Sequence, residues 1–179
     1  MNALSQDVIV QDMYKELHKK LKITLQPIVP FEMPVVWYED LLNCIKNERP
    51  YIKLCWLKTA CGAWCTASRL STYKNRPCIF GCEGERDEMC HYLQCPILWQ
   101  LASEALCQSD SSICILNKIG LLDPSSAKLK RLAFCHALYH SCVNDPHCIK
   151  ENGMPFPSLI VQARASELFN HCIHFSGVT

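Results

Sequence analysis

The chemistry this sequence can offer is concentrated between positions 78 and 95. That stretch reads Cys-Ile-Phe-Gly-Cys-Glu-Gly-Glu-Arg-Asp-Glu-Met-Cys-His-Tyr-Leu-Gln-Cys, with the spacing Cys78-x3-Cys82-x8-His91-x3-Cys95. A structural zinc site needs four soft or borderline donors in a tetrahedron, usually as two pairs that each ride on a tight local element. Gly81 and Gly84 allow the positive-φ backbone that a knuckle turn around Cys82 requires. His91 and Cys95 are four apart, so one helical turn places them on the same face. Pro96 disfavours helical geometry at Cys95 and stops that turn from running on. The reading is one structural Zn2+ held by Cys78, Cys82, His91 and Cys95.

Three other uses of these residues compete with it. Cys90 adjoins His91 and could take one ligand position, although on a helix its side chain points about 100° away. A disulfide would also consume two thiols. A catalytic zinc would keep an open coordination position and need a general base nearby. Glu83, Glu85, Asp87 and Glu88 supply carboxylates, but nothing in their spacing aims one at a metal-bound water, and they read as a solvated loop.

Composition bounds what surrounds this loop. The chain has 179 residues, 49% apolar and 20% charged, with a formal charge of +1 and a mean hydropathy of +0.01. This is a globular composition, not that of a disordered chain. Its net charge favours neither a polyanion nor a membrane surface. Fourteen cysteines are the outlier, at a level otherwise met in small secreted disulfide scaffolds. The amino terminus does not read as a signal peptide: Asp7 comes early, and the apolar run is only Val8 to Val10. No stretch reaches the roughly 18 apolar residues of a bilayer span. The expectation is an intracellular, reducing location (cytoplasm or nucleus), without a membrane partner or an inferred small-molecule substrate. Outside the cluster the thiols then read as small core residues, Cys55, Cys107 and Cys135 among them.

The surrounding elements read as mostly α: a small helical domain with a zinc-stapled loop and at most a short β-hairpin at 76–83. An N-terminal helix is expected within 1–25, on the spacing of Val8, Met13, Leu17 and Leu21, followed by a proline-rich linker over 26–34. Residues 35–110 hold helices and the zinc module: a short helix over 36–47, one from about 50 to 70 opened by Pro50, and one over 96–107 opened by Pro96. Residues 111–179 form a C-terminal helical segment on the same core. It comprises a short helix over 112–119, a long one to about 143 capped by Ser125 or Ser126, a turn at 152–157 and a final helix over 158–174.

A resemblance attaches to these residues. The run Trp64-Cys65-Thr66-Ala67-Ser68-Arg69-Leu70, then Cys78 and Cys82, Asp87, His91-Tyr92-Leu93-Gln94-Cys95-Pro96 and Trp99, resembles the zinc-binding region of non-LTR retroelement reverse transcriptases. The similarity covers about 64–99 and extends loosely over 126–143. It implies that Cys78, Cys82, His91 and Cys95 are the zinc ligands and that the role is nucleic-acid handling. The polymerase's paired aspartates on a strand do not occur, nor does the related endonuclease pattern. The chain therefore reads as a C-terminal fragment with the polymerase domain absent, non-catalytic in itself.

Local charge points the same way. From Arg49 to Cys82 there are six cations and no Asp or Glu. Lys53, Lys58, Arg69, Lys74 and Arg76 are the candidate RNA or DNA contacts, with Trp56, Trp64 and Tyr73 as stacking faces. Against this, Trp56 and Trp64 are eight apart, a spacing that also suits a core stripe. The alternative function is a structural or protein-interaction subunit in which zinc only staples the fold, and a third is a thiol- or metal-dependent enzyme. Lys128, Lys130 and Arg131 crowd the start of a helix, the wrong end for its dipole, which suggests a partner or an acidic neighbour. His136 and His140 with Cys135 and Cys142, the pair Cys61-x3-Cys65, and His147, Cys148, His171, Cys172 and His174 could add a second metal site, but no second spaced pair completes one.

Overall fold

A computed structural model gives the fold; it describes residues 15–26, 36–70, 76–108, 114–144 and the single residues 163, 166, 167, 169 and 170. The described chain is mostly helical. The elements are α1 (15–25), α2 (Val36–Lys46), α3 (Pro50–Ala60), α4 (Ala67–Leu70), α5 (Met89–Tyr92), α6 (Pro96–Ala105), α7 (Ile115–Lys118) and α8 (Ser126–Asn144). The expected linker beyond Gln26, the turn at 152–157 and most of the final helix lie outside the described residues; the five single residues past 160 are helical.

The centre of the molecule is α8. From Leu129 to Cys142 it is buried almost all the way round, including Leu132, Phe134, Leu138 and Tyr139. A helix buried on nearly every side has to be wrapped by others, and α3 and α6 pack along it while α2 leans on both α3 and α8. Phe169 closes one side by meeting Phe134 edge to face at 5.3 Å. Leu21 and Leu25 bring α1 into the same core.

The helix expected over 50–70 is two helices. Pro50 does open α3, but the helix stops at Ala60, because Gly62 adopts φ +61°. Gly62 N–H then donates to the Thr59 carbonyl and Ala63 N–H to that of Lys58, the paired bonds of a Schellman cap. The turn swings Trp64 inward, where its indole N–H donates to Thr59 Oγ1 at 2.9 Å. Both tryptophans of the candidate stacking stripe, Trp56 and Trp64, are buried in the core.

The same cap geometry ends α6, with a different residue at the turn. Cys107 is the only described non-glycine residue with positive φ, at +50°. Its N–H donates to the Glu104 carbonyl and that of Gln108 to Ser103. The cysteines outside the metal loop therefore divide. Cys55, Cys135 and Cys142 are core residues as expected, whereas Cys61, Cys65, Cys107 and Cys114 are exposed. Cys107 is turned outward by its left-handed backbone and Cys114 sits at the start of α7, so helical burial does not reach either.

The basic start of α8 has an acidic neighbour within the chain. Lys128 Nζ lies 2.7 Å from Asp123 Oδ2 and also donates to Asn117. Arg131 is buried, its Nε donating to Gln108 Oε1 at 3.3 Å.

Candidate metal centre

The loop that carries the first two donors is a narrow reversal. Pro77 pairs with Arg86 in a single antiparallel bridge, Cys78 N–H donates to the Glu85 carbonyl, and Asp87 N–H donates to that of Arg76. The expected hairpin at 76–83 is thus displaced a few residues onward and has one bridge. Gly81 and Gly84 both take positive φ, +82° and +74°, which lets the chain turn twice between Cys78 and Asp87.

The second pair comes from a helix junction. His91 lies on the single turn of α5, which ends at Tyr92. Cys95 is the N-cap of α6, with Pro96 as that helix's first residue, and its sulfur accepts from Leu98 N–H at 3.4 Å. A thiolate there faces the positive end of the helix dipole.

These pieces converge. The ligand atoms of Cys78, Cys82, His91 and Cys95 all lie within 4.8 Å of one another, and among the described residues they are the one His/Cys/Asp/Glu group able to hold a metal ion. Cys82 Sγ and Cys95 Sγ are 3.5 Å apart. A tetrahedral zinc with bonds of about 2.0–2.3 Å sets its donors roughly 3.3–3.8 Å apart, the separation Cys82 and Cys95 already have.

The imidazole is oriented for the same task. Its Nδ1 is 3.2 Å from Glu85 Oε2, while Nε2 is buried without a hydrogen-bond partner. A buried ring nitrogen left bare costs free energy. A metal among the sulfurs would take its lone pair, with Glu85 fixing the tautomer from behind.

Protonation follows from the crowding. Hydrogen bonding from Cys95 pulls the Cys78 thiol down to about 4, against its burial, with help from His91 and the N–H groups of Cys82 and Phe80. Cys95 moves up because it supplies a proton to Cys78 and is buried, and burial raises Cys82. Burial alone would lower His91, but the Cys78 sulfur and then Glu85 and Glu88 outweigh it and raise it. One sulfur thus holds the negative charge and its neighbours keep their protons. A divalent cation would let all three become thiolates. Four protein donors complete a tetrahedron and leave no open position for water, so the residues fit a closed metal site.

Cys90 does not join the set. Its sulfur faces the Thr24 carbonyl at 3.9 Å, toward α1. The carboxylates of the loop, expected to be solvated, have separate fates. Glu83 and Glu85 are exposed, but Asp87 is buried at 2%. It accepts from Ala67 N–H at 3.2 Å and Tyr139 Oη at 3.0 Å, with Arg76 at 3.9 Å. The sequence signal for this was weak: Asp87 sits in an acidic run, and its partners are 11, 20 and 52 residues away.

An aromatic stack backs the centre. Tyr92 meets Phe80 at 5.9 Å, Trp64 at 6.4 Å and Tyr139 at 4.7 Å between ring centroids. The Tyr92 hydroxyl accepts from Ile79 N–H at 3.2 Å.

The candidate nucleic-acid residues are scattered by comparison. Lys53 Nζ donates to the Lys46 carbonyl at 2.8 Å, closing the end of α2. Arg76 is held by Asp87. Lys58 is half-buried and near enough to His136 and His140 to help hold both neutral. Arg69 is exposed on α4, and Lys74 lies outside the described residues, as do His147, Cys148, His171, Cys172 and His174. His136 and His140 form a chain instead of a metal site: Nε2 to Nε2 is 3.0 Å, and His136 Nδ1 is 3.5 Å from Cys55 Sγ. No helix among the described residues is long and apolar enough to cross a membrane. No protein-family model, curated protein or solved structure matches the chain, so the reading of this centre rests on its own geometry.

Proposed function

We propose that the chain is a non-catalytic helical module stapled by one structural Zn2+, working by binding in a reducing compartment. The observation that carries this is the convergence of Cys78, Cys82, His91 and Cys95, with every ligand atom within 4.8 Å of the others. Four donors of this softness favour zinc over the hard, oxygen-seeking cations. When bound, the ion would supply cross-linking charge, tying the 78–82 turn to the α5–α6 junction. Cys78 and Cys82 would hold it from the turn, His91 through Nε2 and Cys95 from the start of α6. Glu85 would orient the imidazole. The resemblance of 64–99 to the zinc-binding region of retroelement reverse transcriptases supports the same ligand set.

The partner we propose on that resemblance is RNA or DNA, met through the acid-free stretch from Arg49 to Cys82. Arg69 is its most available cation, with Lys53, Lys58, Lys74 and Arg76 adding charge. The competing reading is a protein-interaction subunit with the same staple.

Metal analysis of the purified chain tests the first part: one zinc per chain is expected, lost with helical signal in Cys78→Ser. A folded, metal-free protein overturns it. Titration with single-stranded RNA at several salt concentrations tests the second. Affinity should fall with salt, and fall again when Lys53, Lys58, Arg69, Lys74 and Arg76 are neutralised together. No binding at low salt would leave the protein-interaction reading.

A further inference from the structure

The sulfurs of the metal centre are not equally placed. Cys95 is 0% exposed and Cys78 is 4% exposed, whereas Cys82 is only half-buried. Cys78 is also pinned by its backbone. Its N–H donates to the Glu85 carbonyl at 2.9 Å, and its own carbonyl accepts from Gly81 N–H at 3.1 Å. Cys82 lies between the two positive-φ glycines, Gly81 and Gly84, and its carbonyl accepts a long 3.4 Å bond from Glu85 N–H. A Cβ added at Gly84 would meet nothing within 4 Å, so the turn has open space beside it. Cys82 is therefore the sulfur that a small solute reaches first and the one with most room to move.

That sulfur already faces a second one. Cys82 Sγ lies 3.5 Å from Cys95 Sγ, and a disulfide would bring the pair to about 2.05 Å. The remaining gap, roughly 1.5 Å, is small for a side chain on a glycine-flanked turn. The neighbouring thiol of Cys90 is aimed elsewhere, at the Thr24 carbonyl.

We propose that Cys82 and Cys95 form a site of reversible two-electron oxidation by a peroxide, in which a disulfide replaces the metal staple. The peroxide transfers one oxygen to the Cys82 sulfur: its O–O bond breaks, a sulfenic acid forms and one water leaves. The Cys95 sulfur then attacks, the S–S bond forms, the S–O bond breaks and a second water leaves. Two thiols thus give up two electrons and two protons, and one peroxide becomes two waters. Where the sulfurs start as metal-bound thiolates, solvent supplies the protons. Only Cys78 and His91 then remain as donors, too few for a zinc tetrahedron. The disulfide joins the 78–82 turn to the start of α6, the same two pieces that zinc would tie. Zinc release rests on the zinc reading above; the pairing of Cys82 with Cys95 does not.

The test takes the full chain, reduced and with its thiols and zinc counted, and treats it with a small excess of hydrogen peroxide. One zinc should pass to a chromophoric chelator for every two thiols lost. Mass spectrometry, after alkylation of the remaining thiols and digestion, should find Cys82 crosslinked to Cys95. Dithiothreitol with added zinc should restore both counts. The variant Cys61→Ser, Cys65→Ser, Cys107→Ser, Cys114→Ser should behave as the parent does, since these exposed thiols take no part. Helical signal should persist after oxidation, and its collapse would overturn the replacement of one staple by the other. A crosslink through Cys78 or Cys90 overturns the inference, as does a sulfinic acid at Cys82 without a crosslink. So does oxidation confined to the exposed cysteines while the cluster stays reduced. A reduced, folded chain without zinc would overturn the zinc reading, and the crosslink map would still decide the pairing.

Discussion

Tyr139 Oη lies 3.0 Å from Asp87 Oδ1, joining the middle of α8 to the loop that carries Cys78 and Cys82 across 52 residues of sequence. The same hydroxyl is 3.1 Å from the Cys65 carbonyl, so one proton is shared between a carboxylate and a main-chain oxygen. Asp87 reaches Arg76 on its own loop and the Ala67 N–H that starts α4. Burial beside the carboxylate raises the Tyr139 hydroxyl, which keeps it a donor.

Removing either side of this contact should loosen the loop from the core. Tyr139→Phe is expected to cost about 1–3 kcal/mol, the range for a hydrogen bond to a charged group. Asp87→Ala should cost about 3–5 kcal/mol, since it removes the carboxylate beside Arg76 and the acceptor of the Ala67 N–H, and leaves the Tyr139 hydroxyl only the Cys65 carbonyl. Urea denaturation of both single variants and the double variant would show a coupling of about 0.5 kcal/mol or more. Additive losses would mean that the two residues act separately.

Glu85 and Cys90 would play separate roles around a bound ion. Glu85→Gln weakens the acceptor behind His91 Nδ1 and should lower zinc affinity by about 10- to 100-fold, with the fold retained. Cys90→Ser should leave affinity and stoichiometry unchanged, because its sulfur faces Thr24. Competition with a chromophoric chelator measures both.

Acid should act through the buried histidine chain as well as through the ligands. Burial, then the charge of His140 and then that of Lys58, push His136 down to about 3 from 6.5. The neutral form is thus the folded form, and the unfolded chain takes up a proton first. Stability from this residue is complete above pH 6.5 and is lost as pH falls through the window down to about 3, at about 1.4 kcal/mol per pH unit. Between pH 7.5 and pH 5, His136→Gln should therefore lose about 2 kcal/mol less than the parent protein. Zinc content followed in parallel isolates this from ligand protonation.

Cys107 occupies a left-handed position that suits glycine. Its side chain is exposed, so Cys107→Gly removes strain without opening a cavity. A gain of roughly 1 kcal/mol, read as a rise in melting temperature, is expected. A loss would mean that the thiol contributes a contact worth more than the strain.

The convergence of the four donors was legible because each pair is local: a glycine-bearing turn holds Cys78 and Cys82, and one turn of helix with a proline stop sets His91 and Cys95. The long helix Ser126–Asn144 was legible for a similar reason, since Leu129, Leu132, His136, Tyr139 and Val143 recur at helical spacing behind a serine cap. The break at Gly62 was not, because Ile52 to Ala60 and Trp64 continue a helical pattern that only the cap geometry interrupts. Asp87 was misread because a buried carboxylate is defined by distant partners, and one letter in an acidic run does not carry them. Exposed Cys107 escaped for the converse reason: the composition around it is apolar, but the backbone turns it outward.

The way Asp87 and Tyr92 are held also bears on portability. A free-standing zinc finger can be cut out and moved to another protein, because its ion organises everything it needs. Here the loop over 76–95 takes its floor from Trp64 and Tyr139, and it anchors α4 in return. Excised as a peptide, it would retain four donors but lack the surface that fixes them. The centre is a keystone set into the helical core, and it can be transplanted only together with that core.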